Sequence, residues 1–238
     1  MTQHHLQGRT SDEVLWFQRR SFLQAAAAWT ATGGIAAAQA QNRSNIVELL
    51  GDVQVNGDRL RPQQTVQTGD QIATGPASTL IFAIGNSAFH VRQNSSLTVG
   101  RGATVNTVSL LRLLTGAVVS VWGKGPTRQI ITPTLTAGIR GTGVYTEIMP
   151  GQDGRSYFCN CYGIVDLTAG SDRTVSETQY HQSFWSNVNS DNQRVLTATS
   201  AINHTDRELE QLARLVGQRT AWQISGKKGS KAGYDNLY

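Results

Sequence analysis

Between Asn45 and about residue 200 the chain is broken every few residues by a turn signal, and nothing between the turns carries the period of a helix. Short apolar runs recur at 46–55, 70–74, 79–84, 88–91, 96–99, 105–114, 117–122, 129–132, 143–148, 157–161 and 163–167. The breakers are Asn56-Gly57-Asp58, Gly75-Pro76, Gly85-Asn86, Gly100-Arg101-Gly102, Gly123-Lys124-Gly125-Pro126 and Pro150-Gly151. Asn-Gly at the first break is a strong hairpin signal, because both central residues of a tight hairpin turn need positive φ. The pattern predicts an all-β domain of stacked short strands. Solenoid-like, sandwich and barrel arrangements all remain open at this level.

The pattern changes after residue 200. Leu209, Leu212, Leu215 and Val216 fall on one face at helical spacing. Thr205 followed by Glu208 reads as a capping box, and Gly217 as a stop. One C-terminal amphipathic α-helix docked on the β domain is expected.

The N-terminal stretch reads as a targeting segment. Arg19-Arg20-Ser21-Phe22-Leu23 opens a weakly apolar, alanine-rich stretch that ends Ala38-Gln39-Ala40, a small-x-small cleavage pattern. It resembles a twin-arginine export signal cut after Ala40. Gln24, Trp29, Thr30, Thr32, Gly33 and Gly34 interrupt it too often for a membrane anchor, and no later segment could span a bilayer. The expected organisation is a signal over 1–40, a linker over 41–45, a β domain over 46–200, a helical segment over 201–225 and a flexible basic tail over 226–238. The expected location is the periplasm.

Charge then bears on partners. The chain carries 21 Lys+Arg against 16 Asp+Glu, a formal net charge of +5. Removing residues 1–40 takes away three arginines and two acids and leaves +4, and within 46–204 eleven basic residues face ten acidic ones. A dispersed surplus of one is no phosphate-binding footprint, so a nucleic-acid partner is not expected.

Several motifs in order carry a family resemblance. Gly51-Asp52-Val53-Gln54-Val55-Asn56-Gly57, Gly69-Asp70-Gln71-Ile72-Ala73-Thr74, Leu114-Thr115-Gly116-Ala117-Val118 and Thr132-Pro133 leading to Arg140-Gly141-Thr142-Gly143-Val144-Tyr145 resemble the signature elements of FecR-type periplasmic domains. The resemblance spans roughly 48–168. It implies an exported β domain of sensing or scaffolding type that recognises an envelope protein or ligand. Family members that regulate iron uptake are membrane-anchored anti-sigma factors, whereas this sequence offers an export signal and no span. Arg140, Gly141 and Thr142 read as a structural turn, with Gly141 and Gly143 supplying unusual dihedrals and Arg140 bridging turns through its guanidinium.

The chemically loaded segment is Ser156-Tyr157-Phe158-Cys159-Asn160-Cys161-Tyr162-Gly163, which holds both cysteines of the chain. On an uninterrupted strand Cys159 and Cys161 share a face with α-carbons ~6.7 Å apart. That spacing does not bring β-carbons to the ~3.8 Å of a disulfide. Two same-face thiolates are instead a half-site for a soft metal, Cu or Zn, or for redox chemistry. His181 is the nearest imidazole along the chain and the expected third ligand; His204 or His90 could supply a fourth. The competing reading is a pair of buried structural cysteines among Tyr157, Phe158 and Tyr162.

Catalysis finds little footing. There is no Gly-x-Ser-x-Gly elbow, no His-Glu-x-x-His and no Cys-x-x-Cys. Two readings of different class follow: a non-catalytic exported binding, sensing or scaffold module, and a periplasmic thiol site at Cys159, Cys161 and His181 that binds metal or does redox chemistry.

Overall fold

The computed structural model of the chain describes residues 44–149, 151, 154–189, 191 and 193–228. The expected export motif at Arg19 and Arg20 and the cleavage site at Ala40 lie outside these residues, as do positions 229–238 of the tail.

Fifteen strands and two short helices make up the described chain. The first strands are β1 (Ile46–Leu50), β2 (Val53–Val55), β3 (Asp58–Arg59), β4 (Gln71–Thr74), β5 (Thr79–Ile84), β6 (Ser87–Val91) and β7 (Ser96–Arg101). Then come β8 (Val108–Trp122), β9 (Arg128–Ile131), β10 (Thr136–Ile139), β11 (Gly143–Ile148) and β12 (Ser156–Ala169). β13 (Asp172–Thr178), β14 (Gln182–Val188) and β15 (Arg194–Thr199) precede the helices α1 (Asp206–Leu215) and α2 (Ala221–Ser225).

Two strands are far longer than the sequence suggests, and they decide the architecture. The runs at 105–114 and 117–122 are one strand, β8, bent at Gly116, whose φ is +77°. The runs at 157–161 and 163–167 are likewise one strand, β12, bent at Gly163 with φ +100°. Glycine here turns the strand without ending it, because it alone enters positive φ without a Cβ penalty.

Each long strand changes neighbours at its bend. β8 pairs β7 and β9 through its first half, and β6 and β11 through its second. β12 pairs β11 and β14 before Gly163, and β10 and β13 after it. One sheet therefore runs β1-β5-β6-β8-β11-β12-β14-β15 and the other β3-β2-β4-β7-β8-β9-β10-β12-β13. The ring β8-β9-β10-β12-β11 returns to β8 and closes a five-stranded barrel. Only β8 and β9 pair in parallel among these ladders. The all-β expectation with one C-terminal amphipathic helix holds, and of the architectures left open by the sequence the closed barrel, extended by further strands, is the one realised.

Period-two alternation gives the first sheet two apolar faces. Phe82, Phe89, Val118, Trp122 and Phe158 point to the second sheet and meet Ile72, Leu97, Leu111, Ile130 and Val165. Burying each such side chain contributes about 1.5–3 kcal/mol. Their neighbours Ile81, Ala88, Val119, Val121, Tyr145, Tyr157, Cys159 and Cys161 point the other way, under Leu209, Leu212 and Ala213 of α1 and Trp222 of α2. The expected amphipathic helix is present with its capping box, Thr205 Oγ1 accepting from the Glu208 backbone N–H. Its buried stripe is Leu209, Leu212 and Ala213, while Leu215 is exposed. Among the described residues no helix is long and apolar enough to cross a membrane.

Candidate metal centre

The outer face of the first sheet buries two thiols and two imidazoles together. Cys159 and Cys161 come from β12, His181 from the turn before β14, and His204 from the turn before α1. One ligand atom of each lies within 4.8 Å of all the others.

A bulge brings the thiols to this spacing. In the β11–β12 ladder Gly143 pairs with Tyr162 and Val144 with Asn160, so Cys161 is the extra residue on β12. A bulge re-aims the side chain it displaces. The two Sγ atoms are 3.7 Å apart, both cysteines are fully buried, and both are free thiols. Asn160 between them turns to the opposite side and donates through Nδ2 to the carbonyls of Gly163 and Ser176 and to Ser176 Oγ.

The imidazoles are held by backbone and carboxylate partners. The His181 backbone N–H donates to the Cys161 carbonyl at 3.0 Å, which seats the β13–β14 turn beside the bulge. His181 Nε2 donates to Asp206 Oδ1 at 2.9 Å, leaving Nδ1 facing Cys159 Sγ at 3.5 Å. His204 Nδ1 donates to the Ile202 carbonyl at 2.6 Å, leaving Nε2 at 3.4 Å from Cys161 Sγ and 3.2 Å from His181 Nδ1. Rings fix both planes: Tyr145 stacks on His204 at 4.7 Å and Trp222 on His181 at 5.5 Å.

Four of the six edges between the ligand atoms match those of a tetrahedral site. Metal bonds of ~2.3 Å to sulfur and ~2.0–2.1 Å to nitrogen require edges of ~3.8 Å between sulfurs, ~3.3 Å between nitrogens and ~3.6 Å between unlike atoms. The observed edges are 3.7 Å between sulfurs, 3.2 Å between nitrogens, and 3.5 and 3.4 Å for Cys159–His181 and Cys161–His204, while the cross pairs Cys159–His204 and Cys161–His181 lie within 4.8 Å. A ligating imidazole whose other nitrogen donates to a carboxylate or carbonyl is the usual outer support of such a site. Both histidines here have it.

Electrostatics of the cluster lean towards thiolate. Burial pushes the Cys159 thiol up, but hydrogen bonding from Cys161 and the charge and hydrogen bonds of His204 and His181 outweigh it and hold Cys159 well below the usual thiol range. Burial and the neighbouring Cys159 push Cys161 well above that range. Burial alone would lower His181, yet Asp206 and Cys159 raise it to about 9. Burial likewise opposes ionisation of Asp206, but hydrogen bonds from His181 and Lys228 depress it below the usual carboxylate range. One thiolate, one imidazolium and one carboxylate thus form a chain ending at Lys228, 2.7 Å from Asp206.

The structure brings Cys159, Cys161 and His181 together and selects His204 as their fourth partner. His90 lies elsewhere, 2.9 Å from Thr79 Oγ1 and 3.4 Å from Glu208. Asp206 and Trp222 were not singled out from sequence. The only signal for Asp206 was its place in the first turn of a capped helix, directly after His204-Thr205.

The Arg140-Gly141-Thr142 turn joins β10 of the second sheet to β11 of the first. Gly141 has φ +70°. Gly143 does not enter positive φ as expected; it is needed because a Cβ there would meet the Tyr162 ring at 2.4 Å. Arg140 pairs with Asp166 at 2.6 Å on the surface. Thr142 is buried and its Oγ1 donates to Asn160 Oδ1 at 3.3 Å.

No family profile matches the chain, and no curated protein matches it in sequence. Among solved structures, two crystal structures from Parabacteroides distasonis, described provisionally as of an anti-sigma factor, resemble it. They are 9% and 8% identical with TM-scores of 0.44 and 0.43, and the match covers 56% and 54% of this chain. The match spans 60% and 59% of the length of those chains.

Proposed function

We propose that this chain is a non-catalytic binding module of the cell envelope, of FecR-like sensing or scaffold type, built around a buried metal centre at Cys159, Cys161, His181 and His204. The observation that carries the metal reading is the convergence of four ligand atoms within 4.8 Å in a dry interior, with the distal nitrogen of each imidazole already committed to an acceptor. Two thiolates and two imidazoles suit a thiophilic ion such as Zn or Cu. All four positions are filled by protein and the cluster is closed to solvent, which favours a structural role over a catalytic one, where one position stays open to water or substrate.

The envelope reading rests on the sequence: the Arg19-Arg20 motif, the cleavage pattern at Ala40, and the ordered FecR-like elements between 48 and 168. Export of a chain already folded around its metal fits that route. The partner is an envelope protein or ligand, and the β surface is the part of the molecule that would meet it.

Elemental analysis of the full chain, recovered from its own export route, tests the centre. One equivalent of metal per chain is expected, lost in Cys159→Ser and in His204→Ala. Metal-free protein whose thiols react only after denaturation would reduce the cluster to packing.

A further inference from the structure

The ligands come from three stretches that the chain could otherwise move independently: an interior strand, the turn at 179–181, and the turn at 200–205. Both turns place a non-glycine residue in the left-handed region, His181 at φ +32° and Asn203 at φ +59°. Such conformations persist only where surrounding structure over-determines them. The two histidine ligands sit at one of those points, His181, and immediately after the other, His204.

The segment that follows has modest means of holding itself down. α1 is ten residues long, and a helix of that length is marginal without packing. It buries Leu209, Leu212 and Ala213, and α2 adds Trp222. Beyond that face its ties to the sheet are divided between the cluster and the strands beside it. Asp206 accepts from His181 at 2.9 Å and from Tyr180 Oη at 3.1 Å, and Lys228 returns to Asp206. Away from the cluster Arg92 reaches Glu208 at 2.6 Å and donates to the Asn203 carbonyl. The Ile202 N–H donates to Tyr157 Oη at 3.0 Å, Asn203 Nδ2 to Glu147 at 2.9 Å, and Gln218 Nε2 to the Asn86 carbonyl at 3.1 Å. The cluster supplies the ties that a chelator can remove.

Charge balance chooses the ion. Cys159 and Cys161 are fully buried, His204 is 2% exposed and the His181 side chain 5%. With both thiolates bound and both imidazoles neutral, a divalent cation leaves the centre uncharged, while Asp206 outside it is balanced by Lys228. A monovalent ion would leave one negative charge among side chains that are almost fully buried, which is costly. The four known edges agree with tetrahedral coordination by four protein ligands, the usual arrangement of a structural Zn(II) site.

We infer that the centre is a Zn(II)-type staple that pins residues 201–228 onto the outer face of the first sheet. Loss of the ion then releases this segment as a unit and bares the apolar strip of Ile81, Ala88, Val119 and Val121, while the two-sheet core stays folded. The inference rests on the four residues being a metal centre.

Two measurements on the full chain separate the staple from the centre itself. Protein produced with zinc and copper both supplied is assayed for bound metal and exchanged with Co(II), whose tetrahedral thiolate complex absorbs visibly. Hydrogen exchange is then compared in loaded, chelated and zinc-restored protein. The expected result is one zinc per chain and a tetrahedral Co(II) spectrum. On chelation, exchange should rise at least about tenfold across 201–228 and 179–184, with β4, β7 and β9 unchanged and protection restored by zinc. A tetrahedral Co(II) spectrum with unchanged exchange over 201–228 overturns the staple and leaves the metal centre standing. Loss of protection throughout both sheets on chelation overturns the staple as a local device. Copper in place of zinc overturns the charge assignment, and no metal uptake at all overturns both the inference and the centre beneath it.

Discussion

Asp206 Oδ1 accepts a hydrogen bond from His181 Nε2 at 2.9 Å, joining the first turn of helix α1 to the turn that opens β14. The carboxylate fixes which nitrogen of His181 faces the thiols and raises the basicity of that nitrogen. Outer partners of this kind typically change metal affinity by about 10–100-fold when removed. Asp206→Ala should therefore weaken zinc binding by that factor in competition with a chromophoric chelator. Asp206→Asn, which keeps an acceptor and loses the charge, should fall between the two. Equal affinities in all three proteins would remove Asp206 from the centre.

The bend in β12 should be intolerant of any side chain. Gly163 has φ +100°, and a Cβ there would lie 2.7 Å from Thr142 Cβ and 2.9 Å from the Gly141 carbonyl oxygen. One of these contacts is backbone and cannot swing aside. Strain of this kind costs about 1–3 kcal/mol, and the overpacking a similar amount. Gly163→Ala should lower unfolding free energy by about 3 kcal/mol or more in urea titration, and a loss below about 1 kcal/mol would show that the bend relaxes freely.

Gly163 also marks where the sequence stopped being legible. Short runs between turn residues identify strands well, since period-two burial is local and needs no knowledge of the partner. Whether a glycine ends a strand or bends it depends on what lies across the ladder, and that information is absent from Tyr162-Gly163-Ile164 or from Thr115-Gly116-Ala117. Counting separate short runs on either side of both glycines left sandwich, barrel and solenoid open. Cys159, Cys161 and His181 were visible as a group because the residue types are rare and close in sequence. The bulge at Cys161 was not, because it is created by the register of Gly143 and Val144 on β11. Choosing His204 over His90 required the fold: His90 lies on β6 and engages Glu208, while the turn after β15 carries His204 back over β12.

The surface arginine of the turn between β10 and β11 should matter little to stability. Arg140 and Asp166 are 2.6 Å apart, with side chains 57% and 39% exposed. Exposed pairs typically contribute about 0–1 kcal/mol. Arg140→Ala should leave the thermal midpoint within about 2 °C of the parent. A loss of partner capture in that variant, with the midpoint held, would mark the turn as a recognition element, whereas a large drop in the midpoint would show it to be a structural clasp.

Docking of α1 should be acid-labile through Glu208. Burial alone would raise this carboxyl, but hydrogen bonding with His90 and the charge of Arg92 depress it to about 2. An ordinary glutamate titrates near ~4.3 in the unfolded chain. A carboxyl depressed on folding contributes stability that is present above the unfolded value and lost as pH falls through the folded one. The contribution of Glu208 is thus complete above about pH 5 and fades between there and pH 2. With side chains 28% and 19% exposed, the Arg92–Glu208 pair keeps part of its solvent screening, so about 1–2 kcal/mol is expected at neutral pH. Glu208→Gln retains an acceptor for the Thr205 cap and loses the charge. The gap in unfolding free energy between parent and Glu208→Gln should be widest above pH 5 and should close towards pH 2, measured by denaturant titration at each pH. A gap that stays constant over that range would mean that Glu208 acts through its shape and its cap, and that the ion pair with Arg92 holds nothing in place.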